Sequence, residues 1–253
     1  MIFKRIVFLI LIFLFALLAQ GQSKSKEVTE RTHAWLGYVS QSRFSQKWGM
    51  WFDFNGRFID LPENQFQLIL RPALIYYVTD ELRFMAGYCY GYNTAPKNLS
   101  TNWDEHRPWQ QVFVRKKYNG FQTRQWLRFE QRFIQKVAQD KLTGDYGFNF
   151  RFRYSFMITV PLKGKEVKAR IPFFVAQDEI FINAGKDIIY NYFDQNRLFI
   201  GFGYAFSDQL TFQLGYMNIF QQRPSGNEFF NNHAIRLFFF HTLDFRPKEE
   251  EVH

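Results

Sequence analysis

Phe148-Asn149-Phe150-Arg151-Phe152-Arg153-Tyr154-Ser155-Phe156-Met157-Ile158-Thr159-Val160 decides the fold. Every even position in this stretch is apolar or aromatic, and the odd positions carry Asn149, Arg151, Arg153, Ser155, Met157 and Thr159. Side chains change face at each residue of a strand, so the stretch reads as a strand with one apolar and one polar face. The same alternation runs through Trp48–Phe58, Leu198–Phe206, Leu210–Tyr216 and Ile235–Phe245, broken in the last only by His241. Eleven such segments follow, at about 33–42, 46–59, 64–78, 81–93, 106–118, 121–136, 144–160, 166–183, 193–206, 209–222 and 231–245. Most run about 12–15 residues, beyond the ~5–6 of a soluble strand and sufficient for a tilted membrane crossing of ~9–11 residues.

Composition narrows the classes. Phe 33, Tyr 13 and Trp 6 bring aromatics to 21% of the 253 residues, far too many for a disordered chain. No interior stretch reaches ~18 consecutive apolar residues, which excludes a bundle of membrane helices. The lone cysteine, Cys89, has no partner for an internal disulfide, and no Cys-x-x-Cys or Cys/His cluster offers a metal site, so neither metal nor cofactor is expected. The formal charge is +9, with basic residues spread over strands and turns and not gathered in a tail or helix. Lipopolysaccharide and anionic membrane surface suit that distribution better than nucleic acid, which is not an expected partner.

At the N-terminus, Lys4 and Arg5 precede the apolar run Ile6–Leu18 and the small-residue stretch Ala19-Gln20-Gly21. This is the pattern of a secretory signal peptide over residues 1–21. One domain is then expected over 22–253, with 253 − 21 = 232 residues and a charge lowered from +9 to +7 by loss of Lys4 and Arg5. Short connections at Ser42–Ser45, Val78–Asp80, Lys117–Gly120, Pro161–Lys165 and Ser207–Asp208 alternate with longer ones at Asn93–Glu105, Lys136–Thr143, Ala184–Tyr192 and Arg223–Phe230. Short turns at one end and long loops at the other belong to an outer-membrane barrel. A soluble barrel would turn the apolar face inward. The signal peptide, the bulk of the apolar face and the aromatics near strand ends (Trp48, Tyr76, Tyr77, Tyr90, Tyr92, Trp109, Tyr118, Tyr204 and Phe206) favour apolar residues against lipid and polar ones in the lumen.

Three groups of residues carry a family likeness: Gln110-Gln111; Arg128-Phe129-Glu130-Gln131-Arg132-Phe133 with Arg151-Phe152-Arg153-Tyr154; and Asp194-Gln195-Asn196-Arg197-Leu198 followed by Gly201-Phe202-Gly203-Tyr204. With the aromatic strands, they resemble an outer-membrane β-barrel family of Bacteroidetes-type bacteria catalogued as a domain of unknown function. The resemblance implies a single barrel domain in the cell outer membrane. It brings no substrate, cofactor or catalytic residue with it. Common barrel proteins stop at a terminal aromatic, whereas here Phe245 is followed by Arg246–His253.

Alternation places Arg57, Arg71, Arg83, Arg128, Arg132, Arg151, Arg153, Arg197 and Arg236 in the lumen, with Asp53, Glu130, Glu179 and Asp244 as the inward acids. One reading is structural: arginine forks pair with acids, amides and carbonyls and fill a narrow barrel. The other is an electropositive interior that favours anions. No catalytic residue is expected. No Gly-x-Ser-x-Gly occurs, none of His33, His106, His233, His241 or His253 lies two residues from a serine on one strand face, and Asp104-Glu105-His106 reads as a solvated loop end. The expected function is therefore a monomeric, non-enzymatic envelope barrel or narrow anion-favouring pore, in contact with outer-membrane lipid and lipopolysaccharide and inserted by the barrel assembly machinery. A barrel enzyme acting on lipid or lipopolysaccharide is the alternative, and a histidine bonded to a serine, threonine or carboxylate at the bilayer boundary would favour it.

Strand number poses a parity problem. Single-chain bacterial barrels use even numbers, so eleven segments call for a twelfth strand or a lumen-crossing plug from 22–31, or for a miscount at 166–183, which contains Pro172. The expectation is an antiparallel transmembrane barrel of twelve strands, with ten as the alternative.

Overall fold

A strand with unpaired edges exposes a row of backbone N–H and C=O groups, and closing the sheet on itself removes every edge. In the computed structural model, which describes residues 26–59, 61 and 65–247, the chain does this without any helix among those residues. The strands are β1 (Glu27–Arg43), β2 (Trp48–Ile59), β3 (Gln65–Tyr77), β4 (Leu82–Asn93), β5 (Trp103–Tyr118), β6 (Phe121–Ala138), β7 (Lys141–Pro161), β8 (Pro172–Ala184), β9 (Phe193–Ala205), β10 (Leu210–Gln222) and β11 (Glu228–Asp244). They form one closed barrel in sequence order. The expected signal peptide, 1–21, lies outside the described residues. We call the end holding 44–47, 78–81, 119–120, 162–171 and 206–209 the turn end, and the opposite end the loop end.

Eleven strands close the barrel, in place of the expected twelve or ten. Successive strands reverse direction, so the first and eleventh run the same way and the closing pair is parallel, from Glu27↔Glu228 to Arg43↔Asp244. The barrel is mixed, not wholly antiparallel. Part of the stretch expected to add a strand or a plug, Glu27–Arg31, instead begins β1 and pairs with Glu228–Asn232. Alternation is missing there because Glu27–Glu30 are exposed on both parities, and backbone pairing alone carries the strand. Residues 22–25 lie outside the described residues. Pro172 interrupts nothing. It is the first residue of β8, where a missing N–H breaks no ladder, and the connection before it is lengthened to 162–171.

The long loop expected at 136–143 is a two-residue hairpin. Gln139 and Asp140 both take positive φ (50° and 54°), the conformation of a type I′ turn. The sequence signal is weak because no glycine marks it, unlike Asn119-Gly120 between β5 and β6. Asp140 also ties down the β4–β5 loop: its carboxylate accepts from the Ser100 and Thr101 amides at 2.9 and 2.8 Å and from Ser100 Oγ at 2.7 Å. Those donors, the Ser100 hydroxyl foremost, hold the carboxyl down to about 2. A depressed carboxyl supports folding above its unfolded value and loses that support as pH falls through the folded one. The loop should therefore stay docked at pH 4 and release only near pH 2, read as amide exchange at Ser100 and Thr101. Rapid exchange at pH 4 would refute the anchor.

Parity around the barrel follows from register. Partner numbers across β5–β6, β6–β7 and β10–β11 sum to odd values (Gln111↔Arg128, Arg128↔Arg153, Gly215↔Arg236), so inward residues are even on β6 and β11 and odd elsewhere. The outer face is a band of large apolar side chains, including Phe54, Leu74, Phe84, Leu127, Phe152, Ile200, Leu214 and Ile235, all exposed, with Phe202 reaching 61%. Aromatic pairs border it at both ends: Trp48–Tyr76, Tyr118–Phe121 and Phe206–Phe212 at the turn end, Phe58–Phe66, Phe133–Phe148 and Phe220–Phe229 at the loop end. Tyr77 and Trp109, expected among such end aromatics, are buried inside, because each lies on its strand's inward parity.

The interior is mixed, not purely polar. Trp35, Val39, Phe173, Phe199, Met217 and Phe238 form one apolar cluster, and Ile69, Ile75, Tyr77, Met85, Trp109 and Phe113 another. Gly37 makes room at the seam: a Cβ there would sit 2.7 Å from the Phe238 ring on the partner strand. Leu36 and Leu237 are register partners across the same seam. Neighbouring strands lie about 4.8 Å apart, within the range a disulfide bridges. Cysteines at Leu36 and Leu237 should therefore crosslink the first and last strands on oxidation, and an absent crosslink would sink the parallel closure.

Candidate functional site

Strand register brings the charged interior together on β6, β7 and β8. Glu130 stands opposite Arg151, Arg128 opposite Arg153, and Ser155 opposite Glu179. Glu130 is only 1% exposed, and both its oxygens are taken. Oε2 accepts from Arg151 Nε at 2.8 Å and Nη2 at 2.5 Å; Oε1 accepts from Arg153 Nη1 at 2.6 Å, with Arg128 Nη1 at 3.7 Å. The chain continues from Arg153 Nε to Glu179 at 2.8 Å and from Arg151 Nη1 to Asp194 at 3.0 Å. Toward the loop end, Glu105 joins Arg107 and Arg132, each at 2.6 Å. Asp53 accepts from Arg71 at 2.6 Å and from the amide of Asn55.

The remaining arginines meet amides and rings, not acids. Arg83 donates to Gln41 at 2.7 Å, Arg57 to Gln67 at 2.8 Å, Arg197 to Gln195 at 2.8 Å and Arg236 to Gln177 at 3.4 Å. Their guanidinium groups lie over aromatic rings, Arg83 over Phe113 at 3.8 Å, Arg57 over Trp35 at 3.9 Å and Arg236 over Phe199 at 4.3 Å, as does Arg128, beside its Glu130 contact, over Trp109 at 4.1 Å. A desolvated contact of this kind contributes about 2 kcal/mol. It also holds each planar fork in one orientation.

Sequence reasoning missed Glu105, Arg107, Arg124 and Asp194. Glu105 lies just before the 106–118 segment, whereas Arg107 lies within it on the parity of Trp109 and Gln111 and was legible from the alternation. Asp194 is buried beside Gln195 because the register shifts at Phe181/Ile182, an irregularity with no sequence mark. Asp244, expected inside, is exposed at the turn end and pairs with Arg246 at 2.5 Å. The last strand ends there, leaving no interior for it to face.

Among the cavities between these side chains, two lie next to one another. One, of about 160 Å³, lies toward the turn end and is lined by Trp51, Asp53, Arg124, Trp126, Glu179, Arg236 and Phe240 among others. The other, about 170 Å³, lies toward the loop end among Gln67, Glu105, Arg132, Arg151 and Asn232. Trp35, Arg57 and Arg197 line both. Both arginines stack on Trp35, with Cζ 3.9 and 5.0 Å from its ring.

The outer face has a second grouping. His233 on β11 lies between Tyr216 of β10, whose hydroxyl is 2.5 Å from Nδ1, and Glu30 of β1, 2.7 Å from Nε2. Tyr38 of β1 meets His241 of β11 at 3.0 Å, and Tyr88 of β4 bonds His106 of β5. Among the described residues no serine, threonine or cysteine side chain bonds a histidine. Two of the three groupings bridge the parallel seam, where they clamp β1 to β11.

These features define a closed β-barrel with an apolar exterior and an arginine-rich interior filled by its own side chains. The chain belongs to the family described as Protein of unknown function (DUF2490), which matches residues 32–230, from the first strand into the last. No curated protein and no solved structure matches it.

Proposed function

We propose that this chain is a monomeric outer-membrane barrel acting as a non-enzymatic structural component of the envelope, whose filled interior leaves at most a narrow, anion-favouring path. One observation carries the reading: the continuous apolar outer band, bordered at both ends by paired aromatics. Soluble monomers rarely expose a contiguous apolar patch beyond a few hundred Å². Length agrees. A strand of 12 residues, the shortest here, extends about 40 Å, and a tilt of about 40° leaves about 30 Å, enough to cross an apolar band of ~25 Å. On this reading the outer face meets lipid and lipopolysaccharide, and the assembly machinery inserts the chain.

The structural role is favoured over an open pore because large side chains crowd the interior, with Trp35, Arg57 and Arg197 lining both cavities. Planar-bilayer recordings in a salt gradient should show no steady open-channel current, and brief openings should reverse on the anion side. A steady cation-selective conductance would overturn this. The enzymatic alternative draws on one observation, the carboxylate of Glu30 bonded to His233 at the outer face. Its third member is the Tyr216 hydroxyl, a weak nucleophile with no oxyanion-stabilising pair built beside it, so the clamp reading stands ahead. His233→Gln should weaken the seam while leaving the acyl chains of added lipopolysaccharide unaltered in both proteins. Acyl release by the unsubstituted protein would restore the enzyme.

A further inference from the structure

We propose that the turn-end cavity is a binding site for a small oxyanion of the phosphate class. Arg57, Arg124, Arg197 and Arg236 line it, and none has a carboxylate within 4 Å among the described residues. The two acids on its wall are already engaged, Asp53 by Arg71 and Glu179 by Arg153. Four guanidinium groups thus face one small space without a directly paired carboxylate, and the arginines on its wall outnumber the acids. Burying cations in that way is unfavourable until an opposite charge joins them.

Some donors are unpartnered as well as charged. Arg57, 8% exposed, leaves Nε without a hydrogen-bond partner, and Arg128, 4% exposed, leaves Nη1 likewise. The glutamine oxygens of Gln67, Gln177 and Gln195 each take one N–H and leave the rest of those forks free. Cation–π contacts with Trp35, Phe199 and Phe238 hold these groups in place before a ligand arrives. Planar forks match pairs of oxygens, as on a phosphate or carboxylate, better than a spherical halide. Several arginines around one point favour the more highly charged anion. A cavity of about 160 Å³ has room for a phosphate-sized ion with a few waters, since a water's share of liquid is about 30 Å³.

This site goes beyond the envelope reading and does not rest on it, since a soluble barrel with the same interior would bind the same ion. The test uses the purified full chain in detergent, with equilibrium dialysis against radiolabelled inorganic phosphate at constant ionic strength in chloride. A single saturable site is expected, weakened at least about tenfold in the double variant Arg57→Gln/Arg236→Gln and retained in Arg246→Gln, which changes a half-buried arginine outside the cavity lining. Binding that does not saturate, or that survives the double variant, would overturn the site, as would the absence of binding in chloride. Should the double variant not fold, the unsubstituted protein decides: its thermal midpoint must rise with phosphate at fixed ionic strength, and an unmoved midpoint rejects the proposal. Competition by glycerol phosphate would mark a phosphate ester as a ligand that fits. Competition by inorganic phosphate alone would mark the free ion.

Discussion

Glu130→Ala should destabilise the barrel by about 3–5 kcal/mol, the cost of leaving buried cations without their shared acid. The magnitude follows from what Glu130 holds: Arg151 through one oxygen and Arg153 through the other, with Arg128 at 3.7 Å. Among the described residues, removing it leaves Arg151 paired with Asp194 and Arg153 with Glu179, while Arg128 loses the one carboxylate within 4 Å. Glu130→Gln keeps the shape and one acceptor oxygen and should cost less. Arg236→Met should be neutral or stabilising, because it removes a cation with no acid partner and puts an apolar chain against Phe199 and Phe238. Urea unfolding of the refolded barrel, followed by tryptophan fluorescence, measures all three. An unshifted midpoint for Glu130→Ala would show that the network does not bear on stability.

Phe152→Arg should cost about 2–4 kcal/mol in a lipid bilayer, the penalty for arginine on the lipid face near the midplane. Phe152 is 44% exposed on the outer face and packs against Phe129 with ring centroids 4.9 Å apart. Its neighbours Arg151 and Arg153 point inward, so a slip of one residue would reverse the whole strand. Denaturant titration in vesicles measures the loss. If the substitution is neutral in vesicles, the outer face does not meet hydrocarbon and the envelope reading fails. Cysteine labelling by a membrane-confined reagent gives the same answer by another route, with Phe150, Phe152, Tyr154 and Phe156 modified and Arg151 and Arg153 spared.

Alternation at Phe148–Val160 and its repeats determined, from sequence alone, that the chain is all-β and built of long strands with one apolar and one polar face. Side-chain period is a local property of extended backbone, so it can be read without knowing any partner. Arg128, Glu130, Arg151, Arg153 and Glu179 could be named together for that reason, since each lies on its strand's polar parity. The eleven alternating segments correspond to the eleven strands, and Glu27–Arg31 only lengthen β1. The expectation of twelve came from the even-number rule, which presumes that the first and last strands pair antiparallel. The parallel seam is a consequence of that odd number and of closure, neither of which any one segment encodes. Pairing inside the barrel was decided there too. Whether an arginine meets a carboxylate, an amide or a ring depends on which residue the register sets opposite it: Arg151 faces Glu130, while Arg57 reaches only Gln67 and the Trp35 ring. Register is set by contacts between segments far apart in sequence, and only the closed barrel brings them within reach.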